Sequence, residues 1–367
     1  MSPSPDVVVV GGGIVGIAVA ASCARRGLSV TLCEAGGLAQ GASGRNQGLV
    51  IGPHHPSIEP IARRTLALFL ELHERSGYSF AFDRDPHGCL MLSDEGGERL
   101  GAAELRAAEP LLAPHIESAE LNLDARRIDP GAAVAALAAE ARAAGADIRT
   151  GCPVRELRRR GGDVTGVLTD DGLIDAGTVV VAAGPWSWRV CRSLPYDVPV
   201  RGVRGWIIVT RPARFRLRHA IEEEWTRPAP PAPTLAQVAH GSEPAPYVAC
   251  VLQQDAAGRV LVGSSLHGAT SDADEAPETR REIARRAVAL MPALAGLAIA
   301  ETRSCQRPYS PDGLPLIGPY PGAGGLVLAT GHGSVGVTQS LGTGEAVADG
   351  ISEGRWDAAL APRRLLA

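Results

Sequence analysis

Residues 7–16, VVVVGGGIVG, constrain the fold more tightly than any other stretch of this chain. Four consecutive valines suit a parallel strand buried on both faces. Glycines at Gly11, Gly13 and Gly16 then lead into an apolar helix that runs through Arg26 and stops at Gly27. Ser29 to Cys33 reads as a second strand, ending at Glu34. Gly11 permits the tight turn, Gly13 lets a pyrophosphate approach the backbone, and Gly16 lets helix and strand pack closely. Ile14 and Val15 open the helix, where free N–H groups and the helix dipole favour negative charge. Glu34, eighteen residues beyond Gly16, is placed to accept hydrogen bonds from ribose hydroxyls. A glycine-rich turn alone is common. The strand before it, the helix after it and the terminal acid together predict a dinucleotide-binding unit.

The residues after Glu34 bear on which dinucleotide is bound. Residues 35–50, AGGLAQGASGRNQGLV, form a long, small and polar stretch, unlike the short return to a helix in a plain NAD domain. Such a loop can lay Ala35, Ser43, Arg45, Asn46, Gln47 and Gly48 along the second half of a larger cofactor such as FAD. Two later segments agree. Cys152-Pro153-Val154 can set a strand backbone, at Val154, against an adenine. Thr178 to Ser187 is an apolar strand that breaks at Ala183-Gly184, a pattern that equally fits a core strand with a glycine stop. On these residues alone NAD stays the competing cofactor.

Other elements can be read along the chain. Helices are predicted over Ser57–Ser76, over Pro130–Ala144 with Asp129 as N-cap, over Glu278–Leu290 and over Ser334–Gly350. Strands are predicted at Val164–Leu168 and Thr178–Ala182, with Trp206–Thr210 and Val260–Gly263 in a different sheet. The proline-rich stretch Thr226–Pro246 reads as a surface excursion or lid. At 367 residues and 45% hydrophobic composition the chain can hold two domains. The expected architecture is α/β and discontinuous, with a nucleotide domain from 1–82, 124–195 and 304–367. The second domain takes 83–123 and 196–303.

Composition removes whole classes of function. A net charge of −4 offers no electrostatic case for nucleic acid or an anionic membrane. All 36 basic residues are arginine, so there is no lysine for a Schiff base, a P-loop or activation of dioxygen. Seven cysteines without a CxxC pair suit a reducing compartment, hence a cytoplasmic location. Val7–Ala21 is too short and glycine-interrupted to span a bilayer, and Met1–Asp6 lacks the positive charge of a signal peptide. No cluster of His, Cys, Asp or Glu has metal-ligand spacing.

The N-terminal unit, GASGRNQG at 41–48, VVVAAGPWS at 179–187, RPYSPDGLPLIGP at 307–319 and ATGHGSVGVTQSLGTGEAVAD at 329–349 together resemble the D-amino-acid oxidase superfamily. That group includes glycine oxidase, sarcosine oxidase and D-amino-acid dehydrogenase. The likeness implies a Rossmann-like FAD-binding domain, a mixed-sheet α+β substrate domain, and oxidation of a C–N bond. Hydride would leave the carbon beside a neutral amine for flavin N5, and the imine would hydrolyse in water. The implied partners are a small amine or amino-acid substrate and dioxygen or another electron acceptor. Two further readings fit the same motifs: a flavoprotein subunit of a multi-component amine or opine dehydrogenase, and a tailoring flavoenzyme whose substrate lacks a carboxylate.

The resemblance also assigns residues. Arg307, in the Arg-Pro motif, is expected to bind a substrate carboxylate, a task that suits a permanently charged, bidentate guanidinium. Gly333, Ser334, Gly336, Val337 and Thr338 are expected to turn backbone N–H groups toward the flavin pyrimidine edge, with His332 a packed residue in the turn. Sarcosine oxidases carry a lysine at about Thr338 and D-amino-acid dehydrogenases a threonine, which leaves oxidase against dehydrogenase open. Cys305 lies where sarcosine oxidases attach the flavin covalently, and cysteine is equally an ordinary small buried residue. Tyr247 is a candidate carboxylate ligand, although Val251 falls nearer the expected place. His54 and His55 follow the GRNQG loop and read either as flavin-side residues or as exposed loop. Arg201 and Arg204, at the start of an expected substrate-domain strand, read either as site residues or as a solvated face. Residues 196–303 match the group only loosely.

Overall fold

Buried on both faces, the strand Val7–Val10 lies near the middle of a six-stranded sheet, paired in parallel with Val30–Cys33 on one side and Thr178–Val181 on the other. The computed structural model describes residues 4–52, 55–85, 87–92, 99–223, 247–267 and 277–366. His54 and the stretch Thr226–Pro246 lie outside the described residues. The sheet continues through Leu326–Thr330 and the antiparallel Leu316–Pro319 at one edge, and Asp147–Arg149 at the other. Four valines in a row are explained by the alternation of a strand. Val7 and Val9 enter a core made with helices on one face; Val8 and Val10 enter a second core on the other.

The helical face is built from Ile14–Arg25, Glu59–Arg75, Pro130–Ala143 and Gly336–Glu353. Asp129 caps the third of these, its carboxylate accepting from the N–H of Ala132 at 2.9 Å. The opposite face is covered by an antiparallel three-stranded sheet, Val154–Arg160, Asp163–Thr169 and Gly172–Asp175, which delivers Leu157, Val164 and Val167 to the second core.

A separate eight-stranded mixed sheet collects Cys89–Met91, Arg99–Leu100, Ala119–Asn122, Arg201–Pro212, Ala220–Glu222, Tyr247–Gln254, Arg259–Leu266 and Ile299–Tyr309. The helix Pro277–Leu290 packs on one face and buries Ile283 and Ala287 against that sheet's core. Ile299–Tyr309 runs through residue 304, where the sequence places a domain boundary, and stays in the eight-stranded sheet to its end. Pairing along Arg201–Pro212 is extensive enough to hold it there, from Arg201 opposite Tyr309 to Val209 opposite Glu301.

The last helix crosses two others at glycines. A Cβ at Gly344 would lie 2.5 Å from the backbone of Ala18, and one at Gly342 would lie 2.4 Å from the carbonyl oxygen of Ile61. Neither obstacle is a flexible side-chain end, so neither can yield cheaply. Gly344→Ala should therefore destabilise the fold by about 1–3 kcal/mol through overpacking, outweighing the ~1 kcal/mol that alanine gains in helix propensity. Urea unfolding checks this; an unchanged or raised midpoint would show that the helices can separate.

Candidate active site

The glycine turn works by removing side chains where three backbones meet. Gly11 adopts φ +113°, and a Cβ there would lie 2.5 Å from the Ala182 carbonyl oxygen. Gly16 is tighter still, with the Gly11 carbonyl oxygen 1.9 Å from its would-be Cβ. Helix and strand therefore touch, and the helix N-terminus opens on a cavity of about 850 Å³ whose wall includes Gly11, Gly13, Ile14 and Val15. Gly16 itself lies beneath that wall. Ser43 closes over the turn, its Oγ accepting from the N–H of Ile14 at 2.9 Å.

Glu34 lines one end of the same cavity with Ala35 and Val154. Its carboxylate is fixed by two backbone donors, Gly12 N–H at 2.5 Å and Gly36 N–H at 2.7 Å. A carboxylate held this way is oriented before any ligand arrives. Ala183 and Gly184 continue the wall, with Gly184 at φ +52° and its carbonyl accepting from the hydroxyls of Ser187 and Thr330.

The loop at 41–48 spans the two sheets. Asn46 folds it, donating to the carbonyls of Ala42 and Ser43 and accepting from Gly48 N–H. Gln47 donates to the Val251 carbonyl at 2.8 Å, and both residues, like Gly48, line the cavity. Arg45 departs from the expected cofactor role. It extends toward the Ser304 carbonyl at 3.4 Å and is not part of the wall, because the short helix Ala42–Arg45 turns it outward.

Gly333–Val335 forms a single 3₁₀ turn and Gly336 starts the final helix, so Gly333, Ser334, Gly336, Val337 and Thr338 all enter the wall at a helix N-terminus. His332 is 3% exposed and bonded through Nε2 to Thr343 Oγ1 at 3.1 Å. Burial pushes its pKa down to about 4, which keeps the ring neutral at physiological pH. It is a packed histidine.

The eight-stranded sheet closes the far end with Ile207, Glu222, Val251, Ser264, Cys305, Arg307 and Pro308. Arg307 donates from Nη1 to the Ser265 carbonyl at 2.8 Å and from Nη2 to Ser264 Oγ. Its guanidinium lies over Gly205, where a Cβ would come within 2.5 Å of Nη1. A side chain at 205 would displace the cation, so this glycine is a component of the site that no sequence pattern signalled. Cys305 is buried beside it, and desolvation raises its thiol pKa against the pull of the nearby arginines.

Several other expectations resolve in position. Tyr247 begins the strand on which Val251 lies, and only Val251 reaches the wall. The strand there is irregular between Val248 and Val251, which offsets the two from simple alternation. His55 is exposed and accepts from Ser57 N–H. Arg201 is exposed and paired with Asp197 at 2.5 Å. Arg204 is buried and donates to Ser304 Oγ; its strand lies between the edge strand Ile299–Tyr309 and Arg259–Leu266. Glu222 went unnoticed in the sequence, hidden in the run Glu222-Glu223-Glu224. Among the described residues, no group of His, Cys, Asp and Glu is placed to hold a metal ion, and no helix is long and apolar enough to cross a membrane.

A dinucleotide cradle, a second wall segment at a helix N-terminus and an arginine-bearing sheet around one cavity define a flavin-dependent oxidoreductase. The profile of the DAO family, FAD dependent oxidoreductase, matches residues 6–350, and the chain belongs to that family. It is 29% identical over 350 residues to the glycine oxidase of Pseudomonas putida, covering 90% of this chain and 89% of that one. It is 25% identical over 407 residues to the hydrogen cyanide synthase subunit HcnC of Pseudomonas aeruginosa, covering 94% and 91%. The crystal structure of glycine oxidase from Geobacillus kaustophilus superposes with a TM-score of 0.83 at 25% identity, over 99% of both chains. The cofactor is FAD, in agreement with the family.

The residues present fit that group. Gly11 and Gly13 leave the backbone bare at the helix N-terminus, where a pyrophosphate would sit, and Glu34, in the same wall, would accept from ribose hydroxyls. Glu34→Ala is expected to weaken FAD binding by roughly tenfold or more, since hydrogen bonds to charged groups contribute about 1.5–3 kcal/mol. Titrating apoprotein with FAD by fluorescence measures it; stoichiometric, wild-type-like binding would remove Glu34 from the ribose contact.

Proposed function

We propose that the protein oxidises the C–N bond of a small carboxylated amine, with Arg307 holding the carboxylate. The observation that carries this reading is Arg307 itself, a guanidinium in the cavity wall, seated over Gly205 and fixed by Ser264 and Ser265. A guanidinium held in a cavity wall can take a carboxylate in a bidentate pair. Bound FAD supplies a two-electron acceptor for the hydride that leaves the carbon beside nitrogen. The protein's task is orientation and control of charge and water. Arg307 fixes one end of the substrate, while Val251 and Ile207 present apolar surface beside it. The helix N-terminus at Gly336 favours negative charge at the opposite wall. His332, buried and bonded through Nε2 to Thr343 Oγ1, is kept neutral by burial.

The relatives named glycine oxidase support a small amino acid as substrate. The relative named a hydrogen cyanide synthase subunit supports a second arrangement, in which electrons pass to a partner protein rather than to dioxygen. Peroxide formation by the isolated protein separates the first from the second, which turns over only with an artificial dye. We read the location as cytoplasmic, since all seven cysteines are free and buried.

Two outcomes are expected. Arg307→Ala should raise KM for a carboxylated amine about 10- to 100-fold, the worth of a charge-assisted pair. Steady-state kinetics with an unchanged KM would point instead to a substrate without a carboxylate. The raised thiol pKa of Cys305 supports FAD held without a covalent bond. Acid precipitation should then leave yellow flavin in the supernatant, and flavin retained in the pellet would make Cys305 its anchor.

A further inference from the structure

Within the wall that carries Arg307, one acidic side chain has no counterpart. Glu222 ends the strand Ala220–Glu222 and pairs with Val251, which pairs with Gly263, which pairs with Ile207. Residues in one such row share a face of the sheet. Glu222, Val251 and Ile207 accordingly all line the cavity. Gly263 has no side chain, and Ile207 and Gln47 Nε2 close over it, while its neighbour Ser264 holds Arg307. Glu222 and Ser264 lie on strands two steps apart, roughly 10 Å between backbones. That distance suits a short zwitterion and the hydrogen bonds at its two ends.

The adjacent residue shows what an ordinary glutamate does here. Glu223 points to the other face, pairs with Arg286 through two bonds of 2.8 and 2.9 Å, and accepts from the Cys250 N–H at 2.6 Å. The Glu222 carboxylate makes no hydrogen bond and no ion pair among the described residues, although its backbone carbonyl accepts from Leu92 N–H. The Cys89 thiol, two residues along the neighbouring strand, is the titratable group that feels its charge. Met91 opposite it is apolar, the Glu223–Arg286 pair lies behind the sheet, and Arg307 lies along the wall.

We propose that Glu222 receives the substrate's amino group and takes the proton of the ammonium. The inference rests on the proposed function above, and assigns Glu222 as the residue that selects an amine beside the carboxylate held by Arg307. In the step, an N–H bond of the ammonium breaks and the proton moves to a carboxylate oxygen of Glu222. The nitrogen keeps the electron pair and becomes neutral, as loss of hydride from its carbon requires. Glu222 forms no bond to carbon, and its proton later leaves to water. Desolvation pushes this carboxyl up to about 7, so it can both accept and release a proton near neutrality.

Anaerobic bleaching of the holoenzyme by glycine, sarcosine and D-alanine tests the assignment across pH 5.5–9.5, comparing wild type with Glu222→Gln and Glu222→Asp. For an amine that bleaches wild type, the second-order rate should rise through a midpoint near 7. In Glu222→Gln that step should vanish and the neutral-pH rate fall about 100-fold; Glu222→Asp should restore the step. Acetate, a carboxylate without an amine, should perturb the flavin spectrum of all three proteins with affinities within about twofold, which a collapsed site would not allow.

Thermal unfolding reads the same group without turnover. A carboxyl whose folded pKa is raised costs nothing while it is protonated in both states. Its penalty grows as pH rises from about 4.5 to about 7, so stability falls across that window. Glu222→Gln should flatten the fall. Wild-type rates with an unmoved pH step in Glu222→Gln, or an unaltered stability slope, would overturn the role of Glu222 alone. Bleaching of wild type by none of the amines would instead take down the functional reading and this inference with it.

Discussion

The structure depends on one steric fact, that the backbones of Gly11, Gly16 and Ala182 meet with no side chain between them. Their contact brings the first helix down onto the first strand and points its N-terminus into the cavity. Adding one methyl group at either glycine would set it within 2.5 Å of a carbonyl oxygen, and backbone cannot move aside as a side chain can. The same device recurs where the last helix crosses the first at Gly344 and Ala18. Two helix N-termini therefore open on one cavity because small residues allow the helices and strands behind them to touch.

The two sheets are coupled through loop 41–48 and the arginines that meet it. Gln47 reaches the Val251 carbonyl, Arg45 reaches the Ser304 carbonyl, and Arg303 donates to the Asn46 carbonyl at 3.0 Å. These bonds register the glycine-rich side of the cavity against the eight-stranded sheet. A loop that looks from its composition like a ligand-binding segment thus spends half of its polar groups on holding two parts of the molecule in alignment.

Charge in the cavity is arranged by desolvation as much as by pairing. Burial keeps His332 neutral, raises the Cys305 thiol and raises the Glu222 carboxyl. Arg307 donates to the Ser265 carbonyl and to Ser264 Oγ in the same wall. The eight-stranded sheet thus sets Arg307 and the desolvated Glu222 carboxyl into one wall of the cavity.

Local chemistry made the cofactor half of the site readable. Runs of valine, glycines at fixed spacing, an acid at the end of a strand and a capping Asp129 act over a few residues, so periodicity and turn geometry expose them. The loosely matching residues 196–303 contain most of what was not readable. Gly205 matters only because Arg307 crosses over it from another strand, and Arg204 is buried only because strands flank it on both sides. Glu222 is the sharpest case. In sequence it is one of three consecutive glutamates, and strand alternation turns it into the cavity while its neighbour Glu223 finds Arg286 on the other side. Adjacent residues were enough to read the dinucleotide turn, the class of fold and Arg307 in its Arg-Pro motif. That Glu222 lines the same cavity as Arg307 emerges only from the folded sheet, because pairing across five strands, and not spacing along one, sets which side chains share a face.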